Sequence, residues 1–135
     1  MRLIPALTLS AAIVASGANA SADSGLAAER DINQGLLVIA AADKIRRACN
    51  SIGGKLFTAQ SYANQLKKLA AERGYDDSEI DAYINDDAEK AKMRERRNAY
   101  FASKGASNLD SESLCVLGRD EIAKGTRIGQ LLRAK

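Results

Sequence analysis

The chain has 135 residues, 46% of them hydrophobic and 27% charged, with a formal net charge of +3 at pH 7. Removal of Arg2 with an export signal would lower that charge to +2, a balance that does not favour nucleic acid or an anionic membrane as a partner. Histidine is absent, which excludes Ser-His and Cys-His nucleophile pairs and the commonest ligand of zinc, copper and non-haem iron. We therefore expect no catalytic residue, metal or cofactor, although carboxylates, lysine or tyrosine remain possible catalytic groups.

The first twenty residues have the pattern of an export signal. Arg2 supplies the positive start, residues 3–15 form a short apolar run, and Ala18-Asn19-Ala20 is a small-residue cleavage site. A membrane-spanning helix needs roughly 20 apolar residues, so an uncleaved anchor is the weaker alternative. The sequence predicts a cleaved signal peptide over residues 1–20, one domain over 21–135 with no stable membrane insertion, and a periplasmic or secreted location.

Two cysteines, Cys49 and Cys115, stand 66 residues apart. An even number of cysteines in a small exported chain predicts a structural disulfide. A redox-active pair is the alternative, but such pairs usually lie close together as C-x-x-C. The spacing favours the structural bond.

The first half of the chain predicts two helices. The first covers residues 26–49, and its apolar run over residues 36–42 is typical of a helix buried in the middle of a bundle. After a break at 51–54, the second continues to about Arg73, and Gly74 suits a left-handed closing position.

The second half predicts three or four more helices. Asp76 with Glu79 resembles a capping box, and residues 85–87 either cap a fourth helix or leave the third continuous with a bend. Basic residues within 88–104 indicate a solvated helix face or, less readily, a site for an anionic polymer. After Gly105, Asp110 or Ser111 caps a fifth helix.

The last segment of the chain predicts a short amphipathic turn. Gly125 closes the fifth helix, Thr126 caps again, and the turn runs to Leu132. Gly118 and Gly129 lie in helical context, where they permit close backbone approach. No strand alternation is present, so the fold class is all-α: a compact bundle of five or six short helices linked by one disulfide.

Two groups of polar residues are candidate binding sites. Asp43 precedes Arg46 and Arg47 by three and four residues, which predicts either a local ion pair at the helix end or a polar cluster that lines a site. The second group is expected to face away from part of the apolar stripe of the fifth helix, and it consists of Arg119, Asp120 and Glu121.

Several segments resemble an uncharacterised family, a domain of unknown function, of small exported alphaproteobacterial proteins. The matching pieces are residues 42–46 before Cys49, then Gly74-Tyr75, Glu79-Ile80 and Tyr83, and most strongly residues 115–123 with Gly125, Ile128, Gly129 and Leu132. The resemblance covers most of residues 21–135. It implies a periplasmic helical domain that retains both cysteines, and it transfers no catalytic residue.

Three functions compete on the sequence alone. A non-catalytic binding or interaction domain with an unknown protein partner is favoured, because no nucleophile or metal set is present. A periplasmic stress chaperone is the alternative, by analogy of fold class only. A carboxylate-based wall hydrolase is third, and it would need two acids at a defined separation, for which Asp43 and Glu121 are conceivable members.

Overall fold

The computed structural model describes residues 25–135, and the export signal predicted over residues 1–20 lies outside them. This part of the chain forms six α-helices and two short strands after one turn of 3₁₀-helix. No helix within it combines the length and apolar character that a membrane crossing requires. In chain order the elements are the 3₁₀ turn (Gly25–Ala28), α1 (Arg30–Ala48), β1 (Ile52–Gly54), α2 (Leu56–Glu72), α3 (Asp77–Asn85), α4 (Asp87–Ser103), α5 (Ser111–Lys124), α6 (Arg127–Gln130) and β2 (Leu132–Ala134).

Helix α1 is the centre of the fold, and it contacts α2, α4, α5, α6 and β1. Ala41 and Ile45 are fully buried, and they share the main core with Phe101 and Leu114. A second, smaller core joins the 3₁₀ turn, α1, α2 and α3 through Leu26, Ile32, Ala70 and Ile80. The predicted all-α bundle is therefore confirmed, with α1 at its centre. Of the apolar run over residues 36–42, Val38, Ala41 and Ala42 are buried and the other four residues are partly buried.

The first helix begins later than the sequence indicated. Residues 25–28 form the 3₁₀ turn, and Glu29 is extended with φ −80° and ψ 92° before α1 starts. The buried side-chain amide of Asn33 donates hydrogen bonds of 2.8 Å to the carbonyls of Leu26 and Glu29. These side-chain bonds satisfy two backbone carbonyls and hold the 3₁₀ turn against the start of α1. Such local bonds compete with regular helix formation, and the spacing of apolar residues does not reveal them.

The predicted helix caps are present. Asp76 accepts a hydrogen bond from the backbone N–H of Glu79, which is one of the two bonds of a capping box. Asp86 is extended and caps α4, so the third and fourth helices are separate. Asp110, rather than Ser111, caps α5, and Thr126 caps α6. Gly74, Gly105 and Gly125 all have positive φ at the ends of helices.

The structure corrects the expectation that the fold contains no strand. β1 pairs with β2 in an antiparallel two-stranded sheet, with Ile52 opposite Ala134 and Gly54 opposite Leu132. Further backbone bonds extend this pairing, including Lys55 N–H to the carbonyl of Leu131 at 2.8 Å. Three-residue strands are too short to show an alternating pattern, so the pairing is created by the return of the C-terminal segment to the end of α1.

The disulfide and close contacts at two glycines hold α5 and α6 in place. The Cys49–Cys115 disulfide ties the end of α1 to α5, which confirms the bond predicted from cysteine number and spacing. Gly118 and Gly129 occupy close approaches, where a Cβ would fall 2.5 Å from Cδ1 of Ile52 and 1.9 Å from the carbonyl oxygen of Glu121, respectively. The close backbone approach expected at Gly129 is confirmed, whereas Gly118 packs against the side chains of Ile45 and Ile52.

Candidate binding cavity

A cavity of about 340 Å³ lies between α1, α2, α3 and α4, and β1 and the C-terminal segment contribute to its wall. We refer to it as the apolar cavity. Its volume is near the lower end of the range for small-molecule sites, roughly 300–1,000 Å³. The residues that line it are Leu36, Ile39, Ala40, Ala42, Asp43, Arg46, Gly54, Leu56, Ala59, Tyr83, Ile84, Glu89, Lys90, Met93, Leu131 and Leu132.

Large apolar side chains line this cavity without being covered. Leu56 at the start of α2 is 68% exposed, and Ile84 near the end of α3 is 45% exposed. Ile39 and Met93 add apolar surface from α1 and α4. Apolar walls around a concavity are typical of a binding site.

Part of the cavity boundary is charged, and Arg46 is held there from two sides. Asp43 forms ion pairs with Arg46 at 2.6 Å and with Arg47 at 2.9 Å. A Cβ at Gly54 would fall 2.9 Å from Cδ of Arg46, so the missing side chain leaves room for the arginine stem. The ion pair that the spacing predicted is thus present, and two of its members, Asp43 and Arg46, line the cavity.

The charged residues that line the cavity balance one another. They are two cations, Arg46 and Lys90, and two carboxylates, Asp43 and Glu89. Arg47 and Lys92 pair with these carboxylates from outside the lining, at 2.9 Å and 3.1 Å. Burial and the charge of Arg94 lower the pKa of Arg97, which also interacts electrostatically with Asp43. The cavity boundary therefore carries paired charges of both signs.

A second cavity of about 240 Å³ lies beside the first, between α1, α2 and α3. The two cavities share Leu36, Tyr83 and Ile84 as lining residues. The Tyr83 hydroxyl donates a hydrogen bond to Oδ1 of buried Asn33, and its burial raises the pKa of the phenol. Tyr83 is therefore a fixed wall between two adjoining apolar spaces.

The structure separates the second group of predicted binding residues from the cavity. Arg119 and Asp120 are exposed on α5, where Asp120 pairs with Lys124 at 2.7 Å. Glu121 is only 3% exposed, and its carboxylate accepts hydrogen bonds from the hydroxyls of Tyr100 and Thr126. The side chain of Glu121 thus does not share the surface of its two neighbours, because it joins α4, α5 and α6 in the interior.

The sequence interpretation missed most of the cavity lining. The sequence indicated no site at Leu56, and it predicted a solvated helix face for the basic residues within 88–104, which include Lys90. The exposure of Leu56 depends on where α2 lies against α1, so no local pattern reveals it. Within residues 25–135 no group of three or more His, Cys, Asp or Glu side chains is placed to hold a metal ion.

Within residues 25–135 the fold is a small helical domain with one disulfide and a cavity that has mostly apolar walls and charged residues of both signs at its boundary. Comparison with known protein families identifies one match. The sequence matches the family described as "Family of unknown function (DUF5333)" over residues 24–133, and the chain belongs to that family. No curated protein and no solved structure matches the chain significantly.

Proposed function

We propose that this protein is a non-catalytic binding domain of the periplasm or extracellular space, and that the apolar cavity is its binding site. The cavity itself is the observation that carries the proposal: an opening of about 340 Å³ with apolar walls and a few charged groups at its boundary. Burial of a ligand's apolar surface there would supply the driving force for binding. The disulfide supports the proposed location, since such bonds persist in oxidising compartments.

The positions of Asp43 and Glu121 do not support the wall-hydrolase alternative. Asp43 lines the apolar cavity and is paired with two arginines, whereas Glu121 lies in the interior and does not line it. A glycoside hydrolase needs two carboxyl groups that flank one substrate bond. The two acids singled out from the sequence do not flank a common opening.

Filling the cavity tests the proposal. The uncharged fluorescent dye N-phenylnaphthylamine is titrated into the purified protein and into Ala40→Phe, which places a ring in the cavity from α1. We expect the dye to bind the wild type and its affinity to fall by about tenfold or more in the variant, ~1.4 kcal/mol. Ala71→Phe is the matched control, because Ala71 is exposed on α2 outside the cavity. Equal dye binding by all three proteins would contradict the proposal.

A stress chaperone is the second candidate, and exposed apolar side chains outside the cavity favour it. Phe57 is 95% exposed and Leu109 is 90% exposed, and such surface can hold an unfolded client. The test is light scattering by acid-treated malate dehydrogenase at about pH 3 with the wild type and with Phe57→Ser/Leu109→Ser, since carboxylates titrate in that range. Suppression of scattering by the wild type alone supports this role, and no suppression excludes it.

A further inference from the structure

We propose that the open cleft between the first half of α2 and α6 is a second binding site, and that its ligand is a small aromatic carboxylate. The cleft has a volume of about 370 Å³, which lies within the range of small-molecule sites, roughly 300–1,000 Å³. Leu131 is the single lining residue that it shares with the apolar cavity. This site therefore extends the proposed binding function and does not depend on it.

The charge of the cleft favours an anion. Arg127 is the single charged residue that lines it, and no carboxylate is among the lining residues. Within residues 25–135 this arginine forms no ion pair. Lys55 and Arg133 line a neighbouring pocket that shares Phe57 and Thr58 with the cleft, and they add to the positive field. The cleft thus differs from the apolar cavity, where charges of both signs are paired.

Uncharged neighbours hold Arg127 in place without neutralising it. Its guanidinium carbon lies 5.2 Å from the centroid of the Tyr62 ring, which is a cation–π contact with α2. Its Nη1 donates a hydrogen bond of 3.3 Å to Oε1 of Gln130. A guanidinium that is already oriented binds a carboxylate through parallel charge-assisted hydrogen bonds with little further ordering.

The number of cations favours a carboxylate over a phosphate. One guanidinium supplies one positive charge, and a carboxylate carries one negative charge. A phosphate monoester carries about −1.5 to −2 near pH 7, and no second cation lines the cleft to offset the excess. The remaining polar groups of the lining are uncharged hydrogen-bonding partners, and they belong to Thr58, Ser61, Gln65 and Gln130.

An exposed aromatic ring favours a flat apolar group on the same ligand. Phe57 is 95% exposed and lines the cleft together with Arg127. Aromatic rings pair in offset-stacked or edge-to-face arrangements, so a ligand ring in the cleft would cover Phe57 and remove apolar surface from water. An aromatic carboxylate combines this ring contact with an ion pair to Arg127 in one small molecule.

Three ligands with the same naphthyl ring separate the charge from the ring. Naphthoate, naphthamide and naphthylmethylammonium are each equilibrated by dialysis against the purified protein, which measures their binding directly. We expect naphthoate to bind about fivefold more tightly than naphthamide, as suits an ion pair at an exposed arginine, and the cation to bind most weakly. The preference should decrease in high salt, because Arg127 is exposed.

Two pairs of variants assign the charge and the ring contact to residues. Arg127→Gln should lose the preference for naphthoate over naphthamide. Arg119→Gln, its matched control, removes a charge from an exposed position outside the cleft and should retain the preference. Phe57→Ser should weaken both ligands alike, whereas Leu109→Ser, at a position that is 90% exposed and outside the cleft, should leave both unchanged. Preference retained in Arg127→Gln would overturn the assignment.

The outcomes distinguish this site from the apolar cavity. Equal binding of the three ligands by the wild type, no binding of any, or tighter binding of naphthyl phosphate than of naphthoate would overturn the carboxylate assignment. Ala40→Phe fills the apolar cavity and should leave naphthoate binding unchanged. If naphthoate binding is lost in Ala40→Phe and kept in Arg127→Gln, the ligand occupies the apolar cavity, so the second site is wrong and the proposed function stands.

Discussion

Gly129 lies directly against the backbone carbonyl of Glu121: a Cβ at position 129 would fall 1.9 Å from that oxygen. This contact sets α6 against the end of α5, where Thr126 also donates to the Glu121 side chain. The chain then continues through Leu131 and Leu132, which line the apolar cavity. The position of the cavity wall therefore depends on an approach that only glycine permits.

Gly129→Ala should destabilise the protein by about 3 kcal/mol, because the obstructing atoms are backbone and cannot rotate away. The measurement is the urea midpoint followed by circular dichroism. Gly35→Ala is the matched control: its Cβ would fall 2.5 Å from Cδ2 of Leu66, a side-chain end that lines the second cavity and has space to move. We expect it to cost about 1 kcal/mol or less, since alanine also favours the helix. Equal losses would contradict the proposed difference.

Tyr100→Phe should destabilise the fold by roughly 1–3 kcal/mol, since it removes a hydroxyl donor from the buried carboxylate of Glu121. The free energy of unfolding by urea checks this value. Tyr62→Phe is the matched control, because its hydroxyl makes no hydrogen bond within residues 25–135 and its ring contact with Arg127 is kept. A Tyr100→Phe loss no larger than that of the control would show that the interior bond contributes nothing.

Asp31 should contribute to stability only at pH values where it is ionised in the fold. Its bidentate hydrogen bond with Arg73 lowers its pKa from 3.8 to about 2. The unfolded chain binds a proton near pH 3.8 while the folded chain does not, so this stabilisation is present above that value and is lost as pH falls through about 2. Asp31→Asn should therefore reduce the decrease in Tm over this range.

The control for this acid titration is Asp81→Asn, an exposed carboxylate without an ion pair or side-chain hydrogen bond within residues 25–135. Its Tm should follow that of the wild type as the pH falls. If Asp31→Asn also follows the wild type, the contact with Arg73 does not couple stability to pH.

Cys49→Ala/Cys115→Ala should lose about 4 kcal/mol of stability, because the bond closes a loop across a sequence separation of 66 residues. Thermal unfolding with and without a reducing agent is the measurement. The wild type should approach the variant when it is reduced, and the variant should not respond to the reductant. A wild type with the same Tm in both conditions would contradict this prediction.

The sequence by itself determined that the chain is helical and where most of its helices are capped. Asp76, Asp86, Asp110 and Thr126 cap helices through bonds to residues two or three positions away, and such local interactions are readable in the chain. The number and spacing of the cysteines predicted the disulfide on a different ground, because an even number of cysteines that are far apart in a small chain is typical of a structural bond once export is expected.

The tertiary structure alone decided the strand pairing, the burial of Glu121 and the existence of the cavity. β1 and β2 meet because α6 turns the C-terminal segment back across the end of α1, although their residues are far apart in sequence. Glu121 is buried because α4 and α6 bring Tyr100 and Thr126 to its carboxylate. A cavity is space left between packed elements, and periodicity within one helix carries no information on how far the next helix stands from it.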